Sequence, residues 1–157
     1  MANLIVMNKV AATATFFDVV APASYANGYL ASLGTQNANK TFACAAPTNV
    51  TDKGMVMVLA VPLSYEAQYV ENDYVIGTGE VVRAIVPYVG MTVSIPAANI
   101  TEGVSLAVDK FVIPVAGDGK MTSANSVGAT DSVDFVIDEL YTKSGVSMAK
   151  IRCIKAS

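Results

Sequence analysis

The chain has 157 residues, 53% of them hydrophobic and only 15% charged, with a formal net charge of −3. Its ten Lys and Arg are scattered, which excludes the clustered cationic footprint of a nucleic-acid binder. The longest apolar run, near 55–63, is far short of the roughly 20 residues of a spanning helix, so the composition implies neither a nucleic acid nor a membrane as partner.

Strand signals dominate the chain from its start. A short apolar run covers 4–7, and 12–20 alternates Thr13, Thr15, Phe17 and Val19 against Ala14, Phe16 and Asp18. Residues 1–20 therefore read as an edge strand or as an arm lying along a neighbour. Tyr25, Tyr29, Leu30 and Leu33 fit a helical face, but Gly28 disfavours a helix there and Asn27-Gly28 is a tight-turn dipeptide. A turn followed by a strand over 29–33 is the preferred reading. A strand over 41–45 would turn Phe42 and Cys44 inward, and 47–53 reads as a loop. The continuous apolar run 55–61 reads as a buried central strand ended by Pro62.

Residues 68–78 form a polar, turn-rich loop. The strand 80–86 alternates Val81, Arg83 and Ile85 against Val82, Ala84 and Val86, and Pro87 stops it. A strand over 91–95 and a turn over 96–99 follow. Short strands are expected at 104–108 and 110–115, a turn at Asp118-Gly119, and a flexible small-polar loop over 120–130. The strand 133–142 is joined to 146–154 by a hairpin at Lys143-Ser144-Gly145. Many short strands divided by turns predict an all-β fold, a small barrel or sandwich of short antiparallel strands with long loops. No linker divides the chain, so 1–157 reads as one domain.

The low charged share and a mean hydropathy of +0.46 predict that part of the surface is hidden by association. Little in the sequence points to catalysis. Histidine is absent, which removes Ser-His-Asp and Cys-His nucleophilic systems and the commonest general base. Cys44 and Cys153 are too few for a structural zinc site and are expected as free, buried thiols. Gly77-Thr78-Gly79 lacks the third glycine of a dinucleotide fingerprint, and Gly117-Asp118-Gly119-Lys120 lacks the spacing of a phosphate loop, so both read as turns. Asp131, Asp134, Asp138 and Glu139 are the densest carboxylates. Oxygen ligands suit a hard cation, but a solvated sheet face is the expectation for them. Glu66, Glu71 and Asp73 read as a solvated loop. Six of the seven tyrosines fall between Tyr25 and Tyr88, and tyrosine suits sites that are buried at one end and wet at the other. The opening Met1-Ala2-Asn3 has no charged-then-apolar secretory pattern, which implies synthesis in the cytoplasm.

The order of signals from Asn27 to Ile95 resembles the decoration, or cement, proteins of tailed-bacteriophage capsids. Asn27-Gly28 and Leu33-Gly34 match an Asn-Gly turn and a strand ending Leu-Gly. Ala46-Pro47 and the run from Met55 to Pro62 match an Ala-Pro turn and an apolar strand ending in Pro. Tyr65-Glu66 and Glu71-Asn72 match an acidic loop, and Gly79-Glu80-Val81-Val82-Arg83-Ala84 with Gly90 matches the closing strand and turn. The resemblance implies a non-enzymatic virion protein on the outer capsid surface, made in the host cytoplasm and needing no cofactor. Its partners would be the major capsid protein and copies of itself, as in a trimer at a lattice symmetry axis. The contacts expected are the N-terminal segment, with Leu4, Val6, Phe16 and Phe17, and the 68–74 loop, with Tyr69 and Tyr74. The competing expectation is a β-rich ligand- or carbohydrate-binding module of a virion appendage, which the absence of Trp makes a poor sugar platform. A carboxylate-using hydrolase is remote, since no recognisable pair is present.

Overall fold

The computed structural model describes residues 5–59 and 76–156. They form two sheets. The strands Val6–Lys9 (β1), Thr92–Pro96 (β7), Phe111–Val115 (β8), Asp118–Ala124 (β9), Val133–Lys143 (β10) and Val146–Ala156 (β11) make a six-stranded sheet in the order β1-β7-β11-β10-β8-β9. The strands Phe16–Val20 (β2), Leu30–Gln36 (β3), Phe42–Ala45 (β4), Met55–Val58 (β5) and Val81–Ile85 (β6) close a barrel in the order β2-β4-β3-β5-β6. Among the described residues no helix is long and apolar enough to cross a membrane.

Residues 5–20 contribute a strand to each sheet. β1 pairs antiparallel with β7, Val6 opposite Ser94, and β2 sits between β4 and β6 in the barrel wall. The β2–β4 pair is parallel, with Val19 opposite Phe42. Strands of alternating direction close a ring only in even numbers, so a five-stranded barrel needs at least one parallel pair.

Two cores follow from period-two alternation. The barrel interior holds Val19, Ala31, Val56, Val58, Val82 and Ala84, rimmed by Phe17, Phe42 and Cys44. The second core lies between barrel and sheet. It takes Leu30, Met55, Met57 and Ile85 from the barrel wall, and Val93, Ile95, Phe135, Ile137, Ala149 and Ile151 from the sheet. β5 is apolar at every position because its Met residues face the sheet and its Val residues face the barrel lumen. A strand buried on both faces loses polar alternation.

Three sequence expectations are corrected. The segment 104–108 is not a strand: Ser123 Oγ accepts from Val104 N and donates to Val104 O, so a side chain takes the backbone groups that a ladder would use. Asp118-Gly119 is not the turn. The hairpin turns at Ala116-Gly117, where Gly117 has φ +77°, and Asp118 already pairs with Val115. Residues 120–124 are strand rather than loop, because Gly119, Met121 and Ser123 alternate inward. The polarity of this segment had hidden that pattern. Residues 60–75, with most of the loop expected over 68–78, lie outside the described residues, and Ile76 near the end of that loop pairs with Tyr25.

Candidate docking face

Alternation along two paired barrel strands creates a mixed apolar and charged outer face. β2 and β6 pair antiparallel, with Asp18 opposite Arg83 and Val20 opposite Val81. Phe17 and Val19 turn into the lumen, so Phe16, Asp18 and Val20 point outward, as do Val81 and Arg83 on β6. Backbone bonds from Ala21 N to Glu80 O and from Gly79 N to Ala21 O, both 2.9 Å, continue the ladder past the strand ends. Val81 is 54% exposed and Phe16 37%.

Arg83 organises this face. Its guanidinium carbon lies 5.7 Å from the centroid of the Phe16 ring, and its Nε lies 3.9 Å from Asp18 Oδ1. The ion pair is exposed at both ends and contributes little to folding. Its effect is to hold a planar cation over an aromatic ring, in a combination of residue types favoured at interface hot spots.

A second apolar zone borders Pro87 and Tyr88. Shallow grooves of about 190 and 250 Å³ flank them, the first walled by Ala11, Thr13 and Ala14, the second by Gly54, Met55 and Val89. The Tyr88 hydroxyl is engaged at its centre, accepting from Ala11 N at 2.6 Å.

The sequence-predicted contacts separate. Phe16 is outward, in the Arg83 face, whereas the Phe17 ring points into the barrel and meets Phe42 edge-on at 5.0 Å. Val6 is half-buried on β1, the edge strand of the six-stranded sheet, whereas Phe16 belongs to the barrel. Leu4, Tyr69 and Tyr74 lie outside the described residues. Arg83 and Val81 were missed as contact residues. The alternation of their strand marked them as sharing one face with Ile85, but the pairing with Phe16 and Asp18 is not written in local sequence. Ile85 itself is fully buried against the sheet.

Tyr25 and Tyr29 meet edge-on at 5.4 Å beside the barrel lumen. Burial pushes the Tyr25 hydroxyl up to about 12 and raises Tyr29 in the same direction. The carboxylates divide as well. Asp138 takes a two-point hydrogen bond from Arg152, at 3.0 and 3.2 Å, and Glu139 lies 3.6 Å from Lys150. Asp131 and Asp134 are buried, against the expectation of a solvated sheet face: Asp131 turns back onto Gly128 N, and Asp134 stands on β10, which is flanked by β8 and β11. Among the described residues no three acidic, Cys or His side chains converge as metal ligands.

Both cysteines are free thiols. Cys153 is buried and donates to Lys155 O, and burial pushes its pKa up to about 11. Cys44 is half-buried, donates to Val20 O at 3.0 Å, and is raised by burial too. Only the thiolate reacts, so at pH 8 iodoacetamide is expected to label Cys153 about 100-fold or more slowly in the native protein than in urea. Mass spectrometry of the labelled peptides checks this, with Cys44 labelled first. Equal native rates for the two thiols would contradict the burial.

No protein-family model matches this chain, and no curated protein matches it.

Proposed function

We propose that the chain is a virion structural protein that docks on the outer surface of a tailed-phage capsid and ties neighbouring shell subunits together. The observation that carries this reading is the outer β2–β6 face, where Arg83 sits over Phe16 beside exposed Val81. It joins an aromatic, an Arg and a β-branched residue on rigid strands, which fits a protein-docking surface. The order of turns and strands from Asn27 to Ile95, which resembles the decoration proteins, supports the capsid as partner. Docking needs no reaction. Binding only to the assembled shell stabilises that state by mass action, and many copies on a symmetric lattice add their effects. Self-association as a trimer would place several such faces on the shell at once.

The test is co-sedimentation of the purified chain with capsids that lack it. Removing residues 1–20 is a poor probe, because the deletion takes away β1 and the barrel strand β2. Point changes on the face spare both strands, and a melting curve of each variant checks that it is folded. Phe16→Ala with Arg83→Glu is expected to weaken capsid binding about tenfold or more, while Val108→Ala, an exposed apolar position outside both sheets, is expected to bind as the parent does. Absence of the parent chain from the capsid pellet would overturn the reading. A glycan-dependent rise in its melting temperature would then move the carbohydrate-binding alternative forward.

A further inference from the structure

The buried carboxylates belong to β10 of the six-stranded sheet and the connection before it, not to the β2–β6 face. Asp134 lies on β10 and is fully buried, and among the described residues neither of its carboxylate oxygens has a hydrogen-bond donor. An ionised carboxylate left this way is costly. Its close neighbour is Asp131, 5% exposed, within hydrogen-bonding reach of it. Asp131 Oδ2 accepts from Gly128 N at 2.8 Å, and the Asp131 carboxylate fills the space where a Cβ on Gly128 would sit.

Two acceptors in contact repel unless one of them carries a proton. We propose that Asp131 and Asp134 share a single proton, with Asp134 as donor, and that this bond is a pH-sensitive latch on the connection between β9 and β10. The groups acting on Asp134 are Asp131 from that connection, and Lys155 and Cys153 from β11. Lys155 is the cross-strand partner of Asp134, but its Nζ donates to Ala129 O at 3.1 Å rather than to Asp134. Burial is the largest cause raising the Asp134 pKa, Asp131 the next, and Lys155 opposes them, leaving Asp134 near 7.

The latch reaches the barrel. Ser132 N donates to Val50 O at 2.9 Å, so the connection is pinned to the 47–53 loop that precedes β5. Below about pH 4 the proton is held in folded and unfolded chains alike, and the contribution to stability is complete. Between about 4 and 7 the unfolded chain loses its proton while the folded chain keeps it, so stability falls as pH rises. Above that range Asp134 is left as a buried carboxylate with no donor among the described residues, and the connection is released.

The experiment uses the full chain with ¹³C-labelled Asp. The Asp134 carboxyl resonance is followed from pH 3 to pH 9, in parallel with thermal melts. The expected titration midpoint is near 7 rather than the ordinary value of about 3.9, and the melting temperature is expected to drop on the order of 5–10 °C between pH 4 and pH 8. Asp134→Asn keeps a donor toward Asp131 without a titrating group, so its melting temperature should lose most of that slope. A wild-type midpoint near 4, or an Asp134→Asn variant with the parental slope, overturns the proposal. The same titration is repeated with millimolar calcium. An Asp134 resonance that moves with calcium at neutral pH, with a raised melting temperature, assigns the pair to a cation and overturns the shared proton. Should Asp134→Asn fail to fold, the wild-type resonance decides alone.

Discussion

Phe135→Ala is expected to cost about 3–5 kcal/mol of folding stability, the range for emptying a large aromatic from a packed core. Phe135 is fully buried and is among the largest side chains in the core between barrel and sheet. It stands on β10, which pairs with β11 on one side and β8 on the other, so it sits within the sheet rather than at an edge. Its neighbours are strands fixed by their own ladders, which limits collapse into the void. A domain of this size has about 5–15 kcal/mol in all, so the variant would lie near the edge of folding at 37 °C. Urea unfolding measures the change. Phe16→Ala, on the outer barrel face and 37% exposed, is the matched control and is expected to cost less, about 1–1.5 kcal/mol. A Phe135→Ala cost below about 1 kcal/mol would mean that the two sheets are not packed on this residue. The contrast between the two phenylalanines also separates the core from the docking face, since one substitution costs mainly stability and the other is expected to cost mainly binding.

Much of this architecture was legible where local pattern and tertiary role agree. β6 alternates because one face is lumen and the other mostly solvent, and the run containing β5 is continuous because both its faces are buried. The hairpin joining β10 and β11 was readable from Ser144-Gly145 between two alternating runs. What was not legible is what depends on distant partners. Val104 looks like a strand residue until Ser123 takes its backbone groups. The small-polar β9 looks like a loop until it pairs with β8. Closure of the barrel through a parallel β2–β4 pair leaves no local trace. The same holds for the sites: Phe16 was named from sequence, but its partnership with Arg83 depends on the register of two strands far apart in the chain. Asp134 shows how composition misleads, since four nearby acids read as solvated while Asp131 and Asp134 are buried.

Gly28→Ala is expected to cost about 2–5 kcal/mol, from two separable causes. The first is backbone conformation. Gly28 has φ +90°, which costs an L-residue about 1–2 kcal/mol. The turn cannot relax cheaply: Gly28 N donates to Val58 O, Tyr29 N to Ala26 O, and the buried Asn99 side chain to Asn27 O. The second cause is steric. A Cβ on Gly28 would lie 2.6 Å from Ile95 Cδ1 and 2.8 Å from Ile95 Cγ2, and Ile95 is fully buried on β7, so the added methyl overpacks the core by about 1–3 kcal/mol. Gly79 isolates the first cause, since its φ is +83° and nothing lies within 4 Å of its Cβ position. Gly79→Ala should therefore cost the backbone amount alone. Adding Ile95→Val to Gly28→Ala removes the nearer methyl and should recover part of the steric cost, so the double-mutant cycle should be non-additive. Equal costs at Gly28 and Gly79, with strict additivity at Ile95, would show that this turn is not pressed against the sheet. The Asn-Gly turn is then more than a local bend. It is a point where the chain entering β3 is pressed against Ile95 of β7, and so a point where the barrel is held to the sheet.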